Sequence, residues 1–137
     1  MLDTNVLSEF RKAQSGRADK NVVSWVVTVS PSMMFVSIMS IMELEVGTLL
    51  MARRDPAQGA LLRTWLDTRI LPSFTGRVLS IDAAVAQRCA QLHVPNPQPE
   101  RNALIAATAL VHGMTVVTRN VADFRPSGVP VLNPWDA

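Results

Sequence analysis

The chain is 137 residues long, 48% hydrophobic and 18% charged, with a formal net charge of +2. That suits one domain, residues 1–137, with a real core, and it excludes disordered and collagen-like classes. No apolar stretch is long enough for a bilayer, no secretion signal opens the chain, and the single Cys89 fits a reducing cytoplasm.

From the first residue, MLDTNVLSEF reads as a very short strand, a turn at Asp3-Thr4-Asn5 and a helix carrying Val6, Leu7 and Phe10 at helical spacing. An amphipathic helix spans about residues 21–29, and Pro31-Ser32 punctuates it. Residues 33–38, MMFVSI, form a buried strand, and Ser40 caps the helix that ends at Arg53-Arg54. Asp55-Pro56 starts another helix, running through Leu61, Leu62, Trp65 and Leu66. Residues 77–82 make a strand leading into an Asp82-capped helix, and after a Pro-rich loop at 95–99 comes the helix containing RNALIAATAL. His112-Gly113 closes that helix, TVVT is a strand, and VPVLNP is the last one. Strands alternating with helices imply a parallel sheet covered by helices, an α/β fold.

In such sheets functional groups gather at the carboxyl ends of strands. Asp3 follows the first strand, Glu43 lies just after the second, and Asn120 to Asp123 follow TVVTR. Taken singly, each has a plain reading: Asp3 as a helix cap, Asp123 as a turn residue. Glu43 sits amid Ile41, Met42 and Leu44, where an acid is costly unless paired or bound to a metal. Together, acids brought to one end of a sheet repel one another unless a cation lies between them. Oxygen donors suit Mg²⁺ or Mn²⁺, and no His/Cys set is available for zinc.

The segments MLDTNVLSE, SIMELEVG, NALIAATAL, TVVTRNVADF and VLNPW resemble, in order and spacing, the PIN-domain nucleases. The resemblance covers essentially the whole chain and is greatest to VapC-type toxins of bacterial toxin–antitoxin pairs, on the FitB-like branch. It implies a PIN fold and an endoribonuclease dependent on Mg²⁺ or Mn²⁺ that cuts single-stranded RNA or tRNA. It also implies a homodimer and a cognate antitoxin protein, with DNA met only through that antitoxin. Matched to the motifs, Asp3 and Glu43 are the first two acids. Asn102 stands where relatives carry the third, an aspartate, and the fourth position falls at Asn120, with Asp123 the acid available nearby. The implied metal set is therefore Asp3, Glu43, Asn102 and Asp123, with Thr4, Asn5, Thr118 and Arg119 the polar residues that would meet substrate. An amide in place of a carboxylate removes one negative charge, which implies weaker cation binding and slower turnover. Against this stands a non-catalytic PIN-fold protein that acts only by engaging antitoxin. With only Met1 and Leu2 ahead of Asp3, the first strand is one or two residues shorter than the resemblance implies.

Other residues have plainer readings. His93 and His112 lie near helix ends, far along the chain from the acids, and Cys89 falls at core spacing with Val85 and Leu92. Trp25 and Trp65 suit burial or a dimer surface. Met33, Met34, Met39 and Met42 fill core. Arg53 and Arg54 form a solvated helix end. Arg11, Lys12, Arg17 and Lys20 could contact an RNA backbone or an acidic stretch of antitoxin, and Arg119 is the best placed for a phosphate.

Overall fold

A computed structural model describes residues 1–136. Its sheet is parallel and built from very short strands: Val36–Ser37 (β1), Val78–Leu79 (β2), Val116–Val117 (β3) and Val131–Leu132 (β4). β1 pairs with β2 and β3 with β4. Leu2 joins the two pairs, bridging Val36 on one side and Val117 on the other, so the layer runs β2, β1, Leu2, β3, β4. Short as it is, the first extended segment is the centre of the sheet. Its backbone is tied on both flanks, Leu2 N–H to the Phe35 carbonyl at 2.8 Å and Asp3 N–H to the Val117 carbonyl at 2.9 Å.

The expected strands over 33–38 and 77–82 contract to these two-residue pairs. Pro31–Met33 form a 3₁₀ turn instead, since Pro31 fixes φ at its first position. Met33, in that turn, is 70% exposed, and Met42, on the outer side of the following helix, 39%, so of the four methionines read as core only Met34 is fully buried, with Met39 partly so.

Helices cover the sheet. α1 (Thr4–Ala13) starts at Asp3, α2 covers Lys20–Val26 and α3 covers Ile38–Arg54. Ser37, and not Ser40, caps α3: its Oγ accepts from Met39 N–H at 3.0 Å. Ser40 lies inside the helix, buried, with its hydroxyl unpaired. Asp55 ends α3 and caps α4 (Pro56–Trp65) through Gln58 N–H, the junction that Asp-Pro signals. α4 runs into a π-helical turn at Leu66–Ile70 and the short α5 (Leu71–Ser73). Asp82 caps α6 (Ala83–Leu92) as expected, accepting from Val85 N–H at 3.0 Å. α7 (Glu100–Val111) closes at Gly113, whose φ of 65° is the left-handed conformation glycine adopts freely. α8 (Val121–Phe124) follows β3.

The sheet divides the core. On one side Leu2, Val6, Leu7, Val36, Trp65 and Leu66 pack among α1, α3 and α4. On the other, Met1, Ile105, Ala106, Val116 and Phe124 pack beneath α7. Fully burying each large aliphatic or aromatic side chain contributes about 1.5–3 kcal/mol, so these two layers hold α1, α3 and α7 over the strand ends. Small residues let α6 approach α7 closely, Ala103 and Ala107 against Val85 and Cys89. Among the described residues no helix is long and apolar enough to cross a membrane.

Candidate active site

Three segments converge where the central strands end. Asp3 leaves the first strand and caps α1, its Oδ1 accepting from Thr4 N–H at 2.8 Å. An acid there lies at the positive end of the helix dipole. Its Oδ2 accepts from the Thr118 hydroxyl, also at 2.8 Å, just past the end of β3. Thr4 then reaches across to α3, where its hydroxyl donates to Glu43 Oε1 at 3.0 Å. Two acids forty residues apart in sequence are thereby joined through one threonine.

Thr118 is fully buried and anchors a small network. Its hydroxyl donates to Asp3 and accepts from Asn5 Nδ2 at 3.3 Å and from Asn120 N–H at 3.0 Å, using its full capacity of one donor and two acceptor positions. Asn5 Oδ1 in turn faces the Arg119 N–H at 3.5 Å. Thr118, itself held by Asn5, therefore orients Asp3. The Arg119 guanidinium, read as a phosphate contact, lies over the Trp135 ring, 5.5 Å from its centroid.

The electrostatics of the pair are unfavourable to charge. Asp3 is 7% exposed, and burial pushes its pKa above the ordinary 3.8 despite the hydrogen bonds from Thr118 and Thr4, with the Asp123 charge adding to the rise. Burial likewise raises Glu43 from 4.5, opposed by its Thr4 hydrogen bond and reinforced by the charge on Asp3. Both carboxylates thus lack full compensation where they stand, the condition under which a cation is attracted.

The remaining predicted residues lie around this pair. Asp123, exposed in α8, is near enough to Asp3 to act on it electrostatically. Asn102 is the third residue of α7, half-buried, lining a small crevice together with Asp123. Asn120 precedes α8 and takes part through its backbone alone. Among the described residues, no group of three or more His, Cys, Asp or Glu side chains is gathered closely enough to hold a metal ion. Asp3 and Glu43 are linked through Thr4, the Asp123 charge acts on Asp3, and Asn102 shares a crevice with Asp123. Two carboxylates with room for water do suit Mg²⁺, which keeps much of its hydration shell. Neither histidine belongs here: His93 Nδ1 accepts from Gln98 N–H at 3.0 Å in the loop before α7, and His112 is exposed at the end of that helix.

Sequence reasoning missed Arg101. Its Nη1 stands 4.0 Å from Glu43 Oε2, the only ion pair to either acid among the described residues. The available signal was its place beside Asn102 in the first turn of α7.

This α/β layer with desolvated acids at its strand ends matches known proteins along its length. The PIN domain model matches residues 1–125. The Neisseria gonorrhoeae protein "Toxin FitB" is 33% identical, covering 98% of this chain and 97% of its own. The Sinorhizobium fredii "VapC ribonuclease Y4jK" is 31% identical, covering 99% and 97%. The solved structure of FitAB bound to a DNA fragment superposes with a TM-score of 0.86 at 32% identity, covering 98% of this chain and 94% of the other. The chain belongs to the PIN-domain family, among the VapC-type toxins of toxin–antitoxin pairs on the FitB-like branch.

Proposed function

We propose that this chain is a cytoplasmic endoribonuclease toxin, dependent on Mg²⁺ or Mn²⁺, that cleaves RNA, with tRNA its substrate, and that Asn102 leaves it impaired. The observation that carries this reading is the Asp3–Glu43 pair, bridged by Thr4 and held short of full charge compensation at the carboxyl end of the central strand. When bound, a divalent cation offsets charge at the scissile phosphodiester and supplies an activated water. Asp3 and Glu43 are the residues to hold it, with Asp123 and the Asn102 carbonyl oxygen beside them. Thr118 and Thr4 fix the carboxylate orientations, so little reorganisation accompanies binding. Arg101 would meet the anionic substrate once Glu43 has another partner.

An aspartate at position 102 would add one negative charge. At a distance of roughly 4 Å, and per unit of ion charge, that is on the order of 1 to 4 kcal/mol, or roughly fivefold to a thousandfold in rate where it stabilises the transition state. The test compares RNA cleavage by this chain and by Asn102→Asp with Mg²⁺ or Mn²⁺. A rise within that range is expected; equal cleavage would overturn the assignment of Asn102.

The partner in this reading is a cognate antitoxin, and DNA is met only through it; the similar FitAB structure is of a complex bound to DNA. The active unit is a homodimer. A second reading draws on the lack of any three-carboxylate cluster among the described residues: a non-catalytic PIN-fold protein that acts by binding antitoxin. It predicts no cleavage even after Asn102→Asp.

A further inference from the structure

A groove leaves the acid pair and becomes strongly cationic. Thr4, Ser8 and Arg11 fall one turn apart along α1 and form one wall of a cavity of about 190 Å³ whose other wall carries Glu43 and Gly47. That cavity shares Arg11, Leu62 and Trp65 with a larger one of about 630 Å³ between the end of α1 and the α4–π segment. The larger groove is lined by Arg11, Lys12, Arg17 and Arg69 and by no acidic residue. Lys12 is drawn to Glu9 at 3.4 Å, whereas Arg11, Arg17 and Arg69 enter no ion pair among the described residues. Three arginine charges thus face solvent along one path.

Resting on the reading above that RNA is the substrate, we infer that this groove carries the sugar–phosphate backbone of single-stranded RNA to or from the acid pair, with Arg11 and Arg69 as its phosphate contacts. A strand with its scissile phosphodiester at Asp3 and Glu43 that follows the connected cavities passes Arg11, and a groove of unpaired arginines is what tracks a polyanion. Polar side chains such as Gln14 and Gln58 line it without an acid to repel the phosphates. An acidic polypeptide would satisfy the arginines but brings no phosphodiester to the carboxylates at the groove's end. The backbone is therefore the occupant the geometry favours.

The test measures anisotropy of a labelled single-stranded RNA oligonucleotide in EDTA, so that binding is read without cleavage, over a range of salt concentrations. Arg11→Ala with Arg69→Ala is expected to weaken binding about tenfold or more and to reduce the log–log salt slope by roughly 0.7 for each contact removed. Arg53→Ala with Arg54→Ala removes the same two charges from the exposed end of α3, outside the groove, and should leave affinity within about twofold. Circular dichroism confirms that both variants fold, as expected for exposed side chains. Unchanged RNA affinity in the double variant would overturn the inference. So would a polyglutamate peptide that binds in dependence on these arginines while RNA does not, which would assign the groove to an acidic protein segment. Arginine-dependent RNA binding without cleavage by Asn102→Asp would instead overturn only the proposed activity.

Discussion

Glu43 and Glu45 stand two positions apart on α3 and face opposite ways, since two helical residues subtend roughly 200°. Glu43 turns to the strand ends, where burial and the charge of Asp3 raise its pKa. Glu45 turns to α4, where Arg63 takes both its oxygens, at 3.1 and 2.7 Å, and lowers its pKa; the same guanidinium reaches Asp67 at 3.2 Å. The α4-facing side is also close-packed: Gly59 lies so near Ala52 that a methyl group there would sit 2.4 Å from the Ala52 Cα. One face of a single helix is built for the stability of a hairpin. The other holds a carboxylate whose charge burial disfavours.

The largest effect that could break this contrast concerns activity. In the Asn102→Asp background, Asp3→Asn or Glu43→Gln should reduce RNA cleavage by more than about a hundredfold, because under the proposed function each removes a charge that would hold the cation. Glu45→Gln should leave cleavage within about twofold. Comparable losses at Glu43 and Glu45 would show that the two faces do not differ as described.

Next comes packing. Gly59→Ala gains about 1 kcal/mol of helix propensity but forces a methyl onto α3 backbone, and overpacking typically costs about 1–3 kcal/mol. A contact of 2.4 Å with a backbone atom cannot be relieved by a side-chain rotation, so the clash should win. A lowered urea midpoint at unchanged slope is the expected result, and a midpoint equal to or above the parent's would refute the close approach.

The smallest effect is the pH dependence of melting in EDTA. A carboxylate whose folded pKa is raised gives its stabilisation in full below its unfolded value and loses it as pH rises through the folded one. Glu43 and Asp3 belong to this class, from pH 4.5 and 3.8 upward. Glu45 has the opposite sign: its contribution is present above pH 4.5 and lost as pH falls through its lowered value. Relative to the parent, the Tm of Glu43→Gln should therefore improve as pH rises above 4.5. That of Glu45→Gln should worsen as pH rises toward the same point. Parallel difference curves would remove the electrostatic basis of the comparison.

Local chemistry made much of the fold legible. Asp55 and Asp82 cap their helices because a short side chain can reach an N–H three residues on, an interaction set by sequence spacing alone. Ser40 misled for a related reason: Ser37 and Ser40 are equally suitable caps, and only the register of β1 against β2 decides that the strand ends at the first of them. The motifs likewise pointed to Asp3, Glu43, Asn102 and Asp123 as one neighbourhood. They did not reveal that Asp3 and Glu43 are linked through Thr4, that Asn102 shares a crevice with Asp123, or that Arg101 faces Glu43.

By itself, then, the sequence determined the alternation of strands and helices, most caps and the motifs that carry the family, because these depend on neighbours within a turn or two of chain. The tertiary structure alone decided that Thr118 holds Asp3 across 115 positions and that Thr4 reaches Glu43 across 39. It also decided that Arg11 and Arg69 share a groove. Such contacts form only after long loops close, and the entropy of closing them is offset by burial throughout the core, which no local pattern encodes.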